Sequence, residues 1–165
     1  MNKRKPVNIE RVRACFSLDP EMGRLFYRIK RPGVPQAWVG MEAGTPRKID
    51  GRMVLNLDGE LYLRSRLIFA HHYGWAPPVV EHEDLDPTND RPSNLRPATQ
   101  RQNMGNMALS SASTTGVRGV YFCKFTGKFR VRIAQKCAGR FVTLEAAQAA
   151  AQVLGRTLYG EFWRG

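Results

Sequence analysis

With 165 residues, the chain is long enough for one ordinary domain or two small ones, and an apolar share of 42% fits folded rather than disordered protein. Its 26 Lys and Arg against 14 Asp and Glu leave a net charge of +12, which favours a polyanionic partner, nucleic acid first, because each neutralised phosphate releases condensed counterions. The apolar runs fall short of the ~20 residues that span a bilayer. The basic opening MNKRKPVNIERV is not followed by the apolar run of a secretory signal, so a cytoplasmic location is expected.

The first element that the pattern predicts is a β-hairpin in GRMVLNLDGELYLRSR, which alternates apolar and polar residues on both sides of Asp58-Gly59. A short helix follows through RLIFAHHY, capped by Ser65 and ended before Gly74 and Pro77-Pro78. His71 and His72 lie on it. Adjacent helical residues stand ~100° apart, so one is expected in the core and the other at the surface. Next come a strand at VVEHED, a polar loop at LDPTNDRPS, an extended NLRP, and a helix opened by a capping box of Thr99 and Gln102.

Residues 107–115, MALSSASTT, have the composition of a linker. The expected organisation is therefore a domain over 1–106, a linker over 107–115 and a second domain over 116–165. The shorter C-terminal part is the more cationic, with nine basic against two acidic residues in 107–165 and seventeen against twelve in 1–106. In it VRGVYF and KFRVRI read as strands joined near Thr126-Gly127, and TLEAAQAAAQVLGRTLY as a helix. Strict alternation in KFRVRI puts Lys128, Arg130 and Arg132 on one face and Phe129, Val131 and Ile133 on the other. The basic stripe spans roughly 13 Å, against a B-DNA major groove about 12 Å wide. Cys15, Cys123 and Cys137 are too dispersed for a zinc knuckle and odd in number for a disulfide framework, so buried or idle thiols are expected.

In EHEDLDPTNDRPSNLRPATQRQN, His82, Asn94 and Asn103 stand 12 and 9 residues apart. With its flanks this stretch resembles the HNH endonucleases, in particular the phage and intron-associated homing type with Asn as third motif residue. The resemblance covers about residues 10–106. It implies an α+β protein with a strand-strand-helix (ββα-metal) core that hydrolyses phosphodiesters of double-stranded DNA with one divalent ion, Mg²⁺ or Mn²⁺. It implies a catalytic pair of His82, as general base, and Asn94, as the brace of the loop that positions it. Glu81 and Asn103 become the metal ligands, although Glu81 stands where that family usually has Asp. Because strand neighbours point to opposite faces, Glu81 and His82 converge on one ion only if the strand ends or bulges there. Arg91 and Arg96 either clamp phosphate or pair with Asp84, Asp86 or Asp90.

The stretch TTGVRGVYFCKFTGKFRVRI, with FVTLEAAQAAAQVLGRTLYGEF, resembles the apetala-type ethylene-response-factor domain, which also occurs fused to phage HNH nucleases. That resemblance covers about residues 114–162 and implies a three-stranded sheet, backed by a helix, that lies on DNA through Arg118, Tyr121, Lys128, Arg130 and Arg132. The seven residues AQKCAGR between Ile133 and Phe141 are fewer than that family has, so a shortened or deformed third strand is expected. Two other readings compete: a DNA-binding protein with a dead nuclease centre, motivated by Glu81, and an RNA-directed protein, which charge alone allows.

Overall fold

A computed structural model of the chain describes residues 6–107 and 109–165. The chain divides into two compact units, one ending at Thr99 and the other beginning at Gln100, so the division falls ahead of the 107–115 segment. Among the described residues no helix is long and apolar enough to cross a membrane.

The first unit opens with α1 (Ile9–Cys15), whose N-cap Asn8 accepts a bond from the Arg11 amide at 2.9 Å. Strands β1 (Phe16–Asp19) and β2 (Arg24–Tyr27) pair antiparallel. A three-stranded sheet follows: a short β3 (Thr45–Pro46), then β4 (Met53–Leu57) and β5 (Glu60–Leu63). The hairpin between β4 and β5 turns on Asp58 and Gly59, both at positive φ, in keeping with the Asp-Gly signal.

β5 runs straight into α2 (Arg64–Tyr73), so Leu63 is the N-cap and Ser65 lies buried inside the first turn, not at the cap expected for it. Gly74, left-handed at φ 76°, ends the helix as expected. α2 is the core element: Leu67, Ile68, Phe69 and Ala70 are buried among Val12, Cys15, Phe16, Leu25, Leu55 and Leu57. The two histidines behave as helical geometry requires. His71 is half-buried with Nε2 3.3 Å from the Phe16 carbonyl, and His72 is exposed. The unit closes with β6 (Val79–His82) paired antiparallel to β7 (Leu95–Ala98).

The second unit begins with α3 (Gln100–Asn106) and continues with β8 (Val120–Cys123), β9 (Lys128–Ile133), β10 (Lys136–Phe141) and α4 (Leu144–Tyr159). The sheet order is β10-β9-β8, antiparallel throughout. The third strand is six residues long, as long as β9, so it is not shortened. A two-residue turn at Ala134 and Gln135, both at positive φ, replaces a longer hairpin loop, and the irregularity is a register shift between Cys137 and Gly139. Val120, Val131 and Ile133 bury the inner face, and the small Ala147 and Ala151 of α4 are buried in the same unit.

α3 belongs to this unit because Gly105 lets it approach α4. A Cβ built there stands 2.7 Å from Tyr159 Cγ and 3.0 Å from the Phe162 carbonyl oxygen. Intrinsic propensity alone makes Gly→Ala in a helix favourable by ~1 kcal/mol, whereas overpacking against a ring root and a backbone costs roughly 1–3 kcal/mol. Gly105→Ala is therefore expected to lower the melting temperature by several degrees; a rise in thermal unfolding by circular dichroism contradicts this packing.

Candidate active site

All four residues of β6 are buried, and the register runs unbroken from Val79↔Ala98 to His82↔Leu95. The strand ends at His82, one of the two conditions for convergence, but Glu81 and His82 take separate partners. Buried Glu81 lies opposite Arg96 and forms an ion pair with its half-buried Nε. His82 Nε2 lies 2.8 Å from Asp90 Oδ1.

Asp90 is the centre of a charged chain that the sequence pattern did not reveal. Its Oδ2 accepts from Arg64 Nε at 2.8 Å; Arg64 donates through a second nitrogen to Glu42 Oε1 at 2.6 Å; and Glu42 Oε2 lies 3.2 Å from Arg24. Asp90, Arg64 and His82 are 2%, 4% and 5% exposed, and buried charges persist only when paired in this way. The available signal is Arg64 itself, an arginine set between the apolar runs LYL and LIF and therefore in need of a buried partner.

The loop from 83 to 94 is tied by Asn94. Its side-chain oxygen accepts the Asp84 amide at 3.1 Å, and its nitrogen donates to Asp84 Oδ1 at 2.9 Å and to the Asn89 carbonyl at 2.8 Å. Asp84 also accepts from Asn89 Nδ2 at 2.7 Å and from the Asp86 amide at 2.9 Å. Partial burial pushes the Asp84 carboxyl up, but the hydrogen bonds from Asn89, Asn94 and the Asp86 amide outweigh it and hold the group below its ordinary value. The Thr88 hydroxyl and amide hold Asp86 low in the same way. From the helix side, the Tyr73 hydroxyl donates to the Pro92 carbonyl at 3.1 Å and steadies the 3₁₀ turn Pro92–Asn94. Gly23, at φ 65°, lets the β1–β2 turn meet the loop backbone: a Cβ there stands 2.4 Å from the Arg91 nitrogen.

Arg96 holds Glu81, and Arg91 donates to the Glu21 carbonyl at 2.5 Å and contacts Asn89 Oδ1 at 3.5 Å. Asn103 is carried by α3 in the second unit and is half-buried. Among the described residues no group of three or more His, Cys, Asp or Glu converges as a metal site. Glu81, the one expected ligand in the first unit, has its charge matched by Arg96, so this carboxylate as paired does not fit a ready-made cation ligand.

In the second unit Lys128, Arg130 and Arg132 are exposed on β9, and the inner positions Val131 and Ile133 are buried. Register sets Tyr121, Arg130 and Arg140 in one cross-strand row. Arg140 escapes a reading of the sequence because it lies in the segment expected to form a defective strand. A shallow hollow of about 470 Å³ is lined by Tyr121, Arg130, Arg132, Ala134 and Gln135. Arg118 differs from expectation: its guanidinium donates to the carbonyls of Gly105 at 2.6 Å and Arg164 at 3.0 Å and lies 5.4 Å from the Trp163 ring centre. It fastens the end of α3 to the C-terminal segment, and burial draws its pKa down. Cys15 is buried, but Cys137 is exposed. The Gly139 amide and then Arg130 draw the Cys137 thiol below its ordinary value.

Residues 62–105, from β5 to α3, match the model of a family described as HNH endonuclease. Neither the curated proteins nor the solved structures give a match.

Removing the Asn94 amide deletes three hydrogen bonds in a mostly exposed loop, each worth about 0.5–1.5 kcal/mol net. Asn94→Ala is expected to cost roughly 1–3 kcal/mol in urea unfolding and to speed amide exchange at Asp84. Unchanged exchange at Asp84 would remove the bracing role.

Proposed function

We propose that the chain is a DNA endonuclease of the HNH type, homing-type by the resemblance of its motif, with His82 as general base and the sheet β8–β10 as a DNA-binding face. The observation that carries the reading is a buried histidine fixed by a carboxylate, at the end of a strand inside the span matched to HNH endonucleases. The apetala-type likeness of the second unit is supported by its three-stranded sheet backed by α4 and by a basic outer face.

The chemistry assigned to this chain's own residues is hydrolysis. His82 takes a proton from water, the water oxygen bonds to phosphorus, one P–O bond to sugar breaks, and the departing alkoxide takes a proton from solvent. HNH nucleases generally use a divalent metal, and Mg²⁺, with Mn²⁺ as alternative, is the cofactor to test. Glu81 and Asn103 are the candidate ligands, and because Arg96 now neutralises Glu81, no step above passes through the ion. The same Glu81–Arg96 pair favours a second reading, a DNA-binding protein of this fold that does not cut.

Plasmid nicking at low salt separates these readings. The wild-type chain is expected to nick DNA with Mg²⁺, to stop with EDTA and to leave an RNA control intact. His82→Ala should lose ~10²–10⁴ in rate, with gel-shift affinity nearly unchanged. Binding without nicking in any divalent ion supports the second reading instead.

On the sheet, every phosphate left without its cation should flatten the slope of log affinity against log salt by about 0.9. Arg130→Ala and Arg140→Ala are therefore each expected to weaken duplex binding and reduce that slope, whereas a substitution at exposed Val153 on α4 should do neither. An unaltered slope for both arginine variants would take the sheet out of the DNA interface.

A further inference from the structure

We infer that Asp90, held by Arg64, is the positioning residue of His82: it selects which ring nitrogen carries the proton and which is presented for chemistry. The inference rests on the nuclease reading of His82, but its geometric part can be tested separately.

The Nε2–Oδ1 separation of 2.8 Å is a hydrogen bond, and an ionised carboxylate is acceptor-only. The proton in that bond therefore sits on Nε2, and the neutral ring carries its lone pair on Nδ1. The second Asp90 oxygen receives Arg64 Nε at 2.8 Å, so the carboxylate is held from both sides and cannot rotate away from the ring without breaking a buried ion pair. Arg64 in turn spans Asp90 and Glu42 with different nitrogens of one planar group, which fixes its own orientation. The backbone at 90–91 is confined by Gly23, against which a Cβ would overlap the Asp90 carbonyl carbon at 2.5 Å. The carboxylate that meets the imidazole is thus held by the first turn of α2 and the β1–β2 turn.

A carboxylate that merely filled a buried position would leave the imidazole's proton position unchanged when replaced. A positioning residue would not, so tautomer is the decisive readout. The full chain labelled with ¹⁵N-histidine contains three histidines, assigned by single His→Gln substitutions, and exposed His72 serves as the reference for a ring without a fixed tautomer. Long-range ¹H–¹⁵N correlation at a pH where the rings are neutral should give His82 as a single Nε2–H tautomer in the wild type. Asp90→Asn offers one acceptor to two donors, so with its oxygen on Arg64 its NH2 faces the ring and should turn His82 to the Nδ1–H tautomer, whereas Asp90→Leu should release it to a mixture like that of His72. In plasmid nicking, Asp90→Leu and Asp90→Asn should each lower kcat about 10–100-fold or more with KM changed less than threefold.

An Nδ1–H ring in the wild type overturns the assignment, whether or not Asp90→Leu folds. So does an Asp90→Leu protein that keeps the Nε2–H tautomer and full kcat. A wild-type chain whose His82 is locked as Nε2–H but which cuts no DNA overturns the nuclease reading while supporting the Asp90 assignment, so the two failures are distinguishable.

Discussion

The first unit depends on one buried guanidinium. Arg64 is the first residue of α2, the helix whose apolar residues make the core, and at 4% exposure its charge is removed from water. Such a charge is tolerable only with matched partners; deleting one partner of a buried pair typically costs about 3–5 kcal/mol, because the survivor stays charged and desolvated. Arg64 reaches Asp90 and Glu42 together, so the loop after β6 and the segment before β3 are fastened to the first turn of the core helix. The position of His82 is a consequence. Its partner is anchored to the most buried helix of the unit rather than left to the loop, which is polar and mostly exposed.

This also explains why the loop can be both exposed and ordered. Asn94, Asp84, Asn89, Asp86 and Thr88 satisfy one another and the local backbone, a set of short-range bonds that consumes polar groups without burying them deeply. Asp90, at the loop's other end, is buried and belongs to the long-range network instead. Two neighbouring aspartates thus have different tasks: Asp84 shapes the loop, and Asp90 ties it to the core and to the imidazole.

What the sequence made legible was local. The Asp58-Gly59 turn, the end of α2 at Gly74, the alternation in KFRVRI and the strand carrying His82 each follow from φ/ψ limits or periodicity within a few residues. The bracing geometry of Asn94 was also within reach, since its partners lie five and ten residues away. What escaped was the choice among partners far apart in the chain. Asp90 meets Arg64 across 26 residues, and nothing in DLDPTNDRPS distinguishes it from Asp84 or Asp86 as the buried one. Arg118 reads as one more cation in a basic segment until Trp163 and the α3 carbonyls claim it. The helix start at Arg64 likewise overrode Ser65, because a buried ion pair outweighs the ~1 kcal/mol of a cap.

The second unit makes the same point about charge. A count of basic residues describes attraction to polyanions but not the face that meets them, because some cations are committed internally. With Arg118 diverted to carbonyls, the cations the sheet presents are those whose register leaves them on the outer surface, Lys128, Arg130 and Arg132 along β9 and Arg140 across it. Neighbouring strands lie ~4.8 Å apart and alternate residues of one strand ~6.6 Å apart, so these four charges form a patch about 13 Å long rather than a line. Tyr121 continues the row of Arg130 and Arg140 with a ring that is 58% exposed. On the proposed reading such a patch neutralises several phosphates at once through charge alone, and the aromatic edge adds a surface that charge does not supply. Base selection then depends on whether Arg130 and Arg132, next to the hollow beside Tyr121, reach past the phosphates, a question of side-chain length and groove depth rather than of net charge.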